Sequence, residues 1–129
     1  KQDEDAMTRR IATAMRHPIQ KVWGHPLGRL LLRRPPVPCR LNEVLDAIVE
    51  AGAIIELNGD PFRMDFPSEH ARTAHARGIR FAIATDAHAA NELGNVHNAV
   101  TIARRAGLGP EDVVNTRPLA EFLALVKPV

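Results

Sequence analysis

The sequence has no tyrosine, a single tryptophan (Trp23) and few other aromatics, which together make up 4% of its 129 residues. A hydrophobic core must therefore be built from Leu, Ile, Val and Ala. A single cysteine, Cys39, excludes a disulfide framework and fits a reducing cytosol. It sits in Pro35-Pro36-Val37-Pro38-Cys39 with no base nearby in the sequence, which argues against a catalytic thiol. No apolar run approaches the ~20 residues needed to span a bilayer. The start, Lys1-Gln2-Asp3-Glu4-Asp5, lacks the apolar stretch of a signal peptide, so a cytoplasmic protein without membrane contact is expected. It also lacks an initiator methionine, which suggests a chain that begins inside a longer protein. The net charge is small too. Seventeen Lys and Arg against fifteen Asp and Glu give a formal +2, too little by itself to argue for nucleic acid.

What is present is more informative. Hydrophobic residues at 45% and charged residues at 25% describe a globular chain. Its length allows one domain with a real core, but a complete βα barrel typically needs about 250 residues. Arg29, Arg33, Arg34 and Arg40 form one basic cluster, and Arg104 and Arg105 form another. Guanidinium forks suit phosphate, although such clusters also commonly make a solvated face.

The hydrophobic pattern alternates between helical and strand periods. Residues 6–16 suit a helix with Met7, Ile11, Ala14 and Met15 on one face, ended by His17-Pro18. Residues 19–23 form a short strand that stops at Gly24-His25-Pro26. Leu41-Asn42-Glu43 opens a second helix with the stripe Val44, Leu45, Ile48, Val49, and Gly52 is its natural stop. Residues 53–57 make the next strand. Ser68 is a candidate cap for a third helix that runs to Arg77. Arg80-Phe81-Ala82-Ile83-Ala84 is apolar enough for a strand covered on both faces. Helices over about 91–106 and 117–126 follow. The order α-β-α-β-α-β-α-α implies βαβ units and a parallel sheet.

In such sheets the reactive groups collect at the C-terminal ends of the strands. Here those ends carry Gly24-His25-Pro26, Glu56-Leu57-Asn58 and Thr85-Asp86-Ala87-His88. Asp86 and His88 point the same way if their segment is extended. A carboxylate beside an imidazole suits Mn, Zn or Fe, and Mg less plainly, with His25 available as a third ligand. Asp86 can instead be a helix cap, a role for which Asn91 is better placed. Arg63 can hold a phosphate oxygen, with Asn58 orienting the loop or a water. Asn58-Gly59 and Asp60-Pro61 equally well read as turn builders. His17, His70, His75 and His97 fall on or beside helices away from this rim.

These same residues carry a family resemblance. Gly24-His25-Pro26-Leu27-Gly28-Arg29-Leu30-Leu31, Glu56-Leu57-Asn58-Gly59-Asp60-Pro61-Phe62-Arg63-Met64-Asp65 and Thr85-Asp86-Ala87-His88 resemble, in order, the later motifs of the PHP (polymerase and histidinol phosphatase) domain. Ala103-Arg104-Arg105 and the stretch from Asp112 to Pro118 resemble its tail, so the likeness runs from about residue 7 to 126. It is nearest to the PHP domain of bacterial family X DNA polymerases and their stand-alone relatives. The resemblance implies that residues 1–129 are the C-terminal part of one distorted seven-stranded βα (TIM-like) barrel. It implies up to three divalent metals at the barrel rim and hydrolysis of phosphate esters, with DNA 3′ ends as substrate. His25 matches the histidine of the Gly-His-Pro motif, and Asp86 and His88 match the final Asp-x-His ligand pair. Arg63, Asn58 and Arg29 are then the substrate-binding candidates. The opening His-x-His motif, further ligands and the bridging Glu have no counterpart in this chain, and Gly107 stands where the family has Trp. The chain alone is therefore expected to bind metal weakly, to be nearly inactive, and to associate through an exposed barrel edge. A small-molecule phosphatase of the histidinol-phosphate type and a degenerate structural module are the alternatives.

Overall fold

In the computed structural model, which describes residues 3–127, the chain begins with a capped helix. The Asp3 carboxylate accepts the Ala6 N–H at 2.7 Å, and Glu4 and Asp5 place negative charge in the first turn of α1 (Glu4–Met15). Lys1 and Gln2, the first two residues of the stretch read as no signal peptide, lie outside the described residues. The buried stripe of α1 is Thr8, Ala12 and Met15, one position away from the face expected from Ala14. Thr8 tolerates burial because its hydroxyl donates to Glu4 O at 2.7 Å and accepts from Arg40 N at 2.9 Å.

The elements then alternate as the sequence pattern requires: β1 (Val22–Trp23), α2 (Leu41–Ala51), β2 (Ile54–Asn58), α3 (Ser68–His75), β3 (Arg80–Ala84), α4 (Val96–Ala106) and α5 (Leu119–Val126). Short 3-10 turns at Ala90–Asn95, Pro110–Asp112 and Val114–Thr116 fill the connections. All three strands are parallel, in the order β1-β2-β3, with Trp23 beside Ile55 and Ile55 beside Phe81. The class is thus α/β with a small parallel sheet. Side chains alternate across it, so Trp23, Ile55, Leu57 and Phe81 share one face and join the core with α2, α3 and α4. Ile54, Glu56 and Asn58 occupy the other. Full burial of Phe81, Phe66, Leu45 and Ile48 contributes about 1.5–3 kcal/mol each.

Several local expectations shift. Ser68 is the first residue of α3 and makes no capping bond; Pro67 holds the cap position with an extended backbone. Asn91 falls inside a 3-10 turn and caps nothing, because the chain tightens before α4 starts at Val96. Val49 is 47% exposed, and Ala47 takes its place in the α2 stripe. In β3 only Phe81 is buried, because β3 lies at one side of the sheet. That side is nevertheless partly closed. Val113 bridges to Phe81, and the Asn115 side chain bonds both Ile83 N (3.0 Å) and Ile83 O (2.8 Å), imitating a neighbouring strand. The open edge foreseen from the sequence is blunted there by a side-chain amide. Gly107, at φ 83°, is the left-handed stop of α4, a conformation in which a tryptophan would be strained.

The loop after β2 meets the start of α4 at Gly59. Gly59 N–H donates to Ala84 O at 2.8 Å, and Asn98 Nδ2 donates to Gly59 O at 2.9 Å. A Cβ at Gly59 would collide with the Asn95 carbonyl and stand 3.2 Å from Ala99 N, whereas one at Gly52 would meet nothing within 4 Å. Further along, the Asp65 carboxyl is fully buried. Its Oδ2 accepts Leu27 N–H at 3.1 Å, and its Oδ1 has no partner among the described residues. Burial pushes this carboxyl above its ordinary range, against opposing hydrogen bonds from Leu27 and Gly28 and the charge of Arg29.

Two outcomes follow from these contacts. Gly59→Ala should lower the urea midpoint by the equivalent of about 1–3 kcal/mol, the range for overpacking against a rigid neighbour, and Gly52→Ala by only about 1 kcal/mol. The raised Asp65 value means that the native state keeps a proton which the unfolded chain releases near pH 4. Its stabilising contribution is complete below that pH and fades as pH rises through the raised value. Urea titrations of the parent and Asp65→Asn from pH 4 to 7 should therefore diverge, with the variant losing less stability as pH rises.

Candidate functional site

The parallel register brings the C-terminal ends of the three strands to one rim, and five side chains converge there. Asn58 ends β2 fully buried. Its Oδ1 accepts the Asp60 N–H at 3.0 Å, which turns its Nδ2 toward His25 Nδ1 at 3.1 Å. The His25 Nδ1 is thereby an acceptor in this arrangement. Two residues earlier on the same face, Glu56 Oε2 accepts the His25 backbone N–H at 2.7 Å and lies 3.6 Å from His25 Nδ1. From the end of β3, Asp86 Oδ2 lies 3.9 Å from the same nitrogen. Arg63 donates from Nε to that Asp86 oxygen at 3.1 Å.

Exposure suits a site open on one side. The His25 side chain is 47% exposed, whereas those of Glu56 and Asp86 are 16% and 15% exposed. His25 and Asp86 both hold left-handed backbone conformations, with φ of 45° and 55°. Such conformations are costly for residues with a Cβ and persist where surrounding contacts impose them. Here the Glu56 bond to the His25 backbone is one such contact.

The residues singled out in the sequence are distributed unevenly. His25, Asn58, Arg63 and Asp86 meet. The extended segment expected from Asp86 to His88 does not form, because φ at Asp86 is positive and the two-residue alternation breaks. His88 is exposed, its backbone N–H donates to Glu92 Oε2 at 2.7 Å, and no hydrogen bond or ion pair joins its ring to His25 or Asp86. Arg29 is committed elsewhere: Nε donates to Arg63 O at 2.9 Å and Nη2 to Met64 O, so it braces the loop that carries Arg63. Glu56 joins them, although the sequence pattern assigns it no role. Its even spacing from Asn58, on the face opposite the apolar Ile55 and Leu57, was the available signal. Two of the other histidines make structural contacts: His75 Nε2 meets Asp112 Oδ1 at 3.1 Å, and His70 packs on Phe66 with ring centroids 5.5 Å apart.

Imidazole and carboxylate donors around one point are the right types for a divalent ion. Donors sharing one ion through bonds near 2.0–2.2 Å stand about 3–3.5 Å apart, slightly closer than the 3.6 and 3.9 Å observed. Two of those atoms are already engaged, His25 Nδ1 by Asn58 and Asp86 Oδ2 by Arg63. Among the described residues no group of three or more His, Cys, Asp or Glu is arranged as a ready cage. The donor types suit a divalent ion, but among the described residues they do not form a complete set.

No protein-family profile matches the chain. It is 30% identical over 126 residues to the DNA polymerase/3′-5′ exonuclease PolX of Bacillus subtilis (strain 168), which covers 98% of this chain and 22% of that protein. It is also 28% identical over 120 residues to a probable phosphatase of Thermoanaerobacter sp. (strain X514), covering 88% of this chain and 46% of that one. A probable phosphatase of Caldanaerobacter subterraneus subsp. tengcongensis is 26% identical over 121 residues, covering 89% and 45% respectively. The chain thus spans between about a fifth and just under half of the curated relatives it matches, and those relatives carry exonuclease or phosphatase names.

Proposed function

We propose that this chain is the C-terminal portion of a PHP-type phosphoesterase barrel, with His25, Asp86 and His88 among the ligands of a divalent-metal site that acts on DNA 3′ ends. The observation that most supports the reading is the meeting of His25, Glu56 and Asp86, from the ends of three successive parallel strands, around a single ring nitrogen. His25 and Asp86 supply two donors, and His88 follows Asp86 in the ligand pair that the resemblance implies. A longer protein, of which this chain would be one portion, supplies the rest.

His25 and Asp86 would hold a divalent ion there, which would supply activation of water and neutralisation of phosphate charge. The chain's own residues hold the geometry. Asn58 fixes the His25 ring, and Glu56 fixes the His25 backbone. Arg63, its guanidinium already at Asp86, is suited to bind a phosphate oxygen at the same point. Arg29 keeps the Arg63–Met64 backbone in position rather than touching substrate. A second reading, a phosphatase of small phosphomonoesters, is supported by the phosphatase names of several relatives.

The test uses the full-length protein with a 3′-recessed DNA primer and a small phosphomonoester side by side. Faster turnover of the primer supports the first reading, and the reverse supports the second. Chelation should abolish activity, and Mn, Zn or Fe should restore it. Asn58→Ala should lower kcat/KM by about 10- to 100-fold, as loss of a residue that orients a metal ligand does, and His25→Ala or Asp86→Ala by more. Activity indifferent to chelation, or a purified protein without metal by elemental analysis, would overturn the metal assignment.

A further inference from the structure

Beside this rim, residues 28–36 form a tight turn that the site as described does not use. Leu30 and Arg34 bridge each other (Leu30 N to Arg34 O, 3.0 Å; Arg34 N to Leu30 O, 2.8 Å), and Leu31 N–H donates to Phe62 O at 2.7 Å. The turn lifts Leu32 into solvent at 107% exposure with φ 60°, and leaves Leu31 and Phe62 39% and 59% exposed. Arg33 lies over the Phe62 ring, 5.6 Å from its centroid. Phe62 immediately precedes Arg63, which touches Asp86.

The charge here is one-sided. No Asp or Glu occurs from residue 26 to 41, and four arginines do. Arg29 is held by backbone carbonyls and Arg40 by Asp5 and Glu43. Arg33 and Arg34 form no ion pair among the described residues; Arg34 Nε rests on Gly28 O at 2.8 Å. An exposed ring, an exposed leucine tip and two uncompensated guanidiniums occur together within one loop. That combination matches a strand of nucleic acid, whose bases offer flat apolar faces and whose phosphates offer charge.

We propose that Phe62, Arg33, Arg34 and the Leu31–Leu32 tip form a platform for single-stranded nucleic acid, seating the nucleotides next to the end presented to the rim. The assignment deepens the reading of this rim as a nucleic-acid phosphoesterase and rests on it for the substrate class. A base stacks on the layered Phe62–Arg33 pair, since an aromatic ring and a guanidinium plane both serve that purpose. Arg34 meets the adjoining phosphate as a charge-assisted donor. Single strands are preferred because a paired base already stacks within its duplex and has no free face.

The experiment reads binding apart from hydrolysis. Fluorescence anisotropy of a labelled single-stranded oligonucleotide is followed with the 129-residue chain and with the full-length protein, in the presence of chelator. Phe62→Ala should weaken binding by about 5- to 50-fold, the range for loss of one stacked base, and Phe62→Trp should retain it. Arg34→Ala should weaken binding and lower the slope of log K against log salt by about one, which Phe62→Ala should not. Arg105→Ala, on α4, should change neither. Unchanged affinity in Phe62→Ala, equal binding of an abasic strand, or preference for blunt duplex would overturn the platform. So would full-length protein whose binding ignores Phe62→Ala, which would make the loop an internal packing surface. Failure of hydrolysis in the intact protein would remove the phosphoesterase reading without altering this measurement.

Discussion

The rim depends on one buried amide. Asn58 has no exposure to water, so its donors and acceptor need partners inside the protein, and leaving one unmet costs about 1–3 kcal/mol. Its Oδ1 accepts the Asp60 N–H, its Nδ2 donates to His25 Nδ1, and its backbone N–H donates to Asp65 O. These bonds shape the loop after β2 and orient the ring from the loop after β1. The next residue, Gly59, ties the same loop to Ala84 at the end of β3 and lies against the start of α4. Three separate connections are thus held by two adjacent positions, and any chemistry at His25 or Asp86 rests on them.

A second layer supports the first. Asp65 receives Leu27 N–H, and Arg29 binds the Arg63 and Met64 carbonyls, so the loop after β1 and the loop after β2 brace each other. An uncompensated carboxyl oxygen at zero exposure is a poor stabiliser, and burial raises its pKa accordingly. The two loops still gain register from these bonds, which keeps Arg63 at Asp86 and Phe62 beside Leu31. The arginine cluster noted in the sequence accordingly divides by task. Arg29 braces a loop and Arg40 is tied to Asp5 and Glu43 at the surface, while Arg33 and Arg34 form no ion pair among the described residues.

The similarities to an exonuclease-bearing polymerase and to phosphatases cover between about a fifth and just under half of those longer proteins. Ala82 and Ala84 are only half-buried on the face that carries Glu56 and Asn58, and α5 buries none of its residues despite its leucines. At the β3 side, Asn115 and Val113 supply the hydrogen bonds that another strand would make. An asparagine side chain can do this because it carries both a donor and an acceptor at the spacing of a peptide group.

The alternation of elements was legible in the sequence because burial imposes a period on it: the helical stripe of Val44, Leu45 and Ile48, the apolar run at Phe81, and the stop at Gly52 all depend on near neighbours. The crowding of His25, Asn58 and Asp86 at strand ends could be read for the same reason, once a parallel sheet was implied. The roles of those residues could not. That Arg29 braces a loop while Arg63 reaches a carboxylate, that Glu56 holds the His25 backbone, and that Asn115 closes a strand edge are contacts between residues 23 to 34 apart in the chain. Local periodicity carries no information about such pairs. They were decided when packing set the strands in register and left each buried polar group to find a partner.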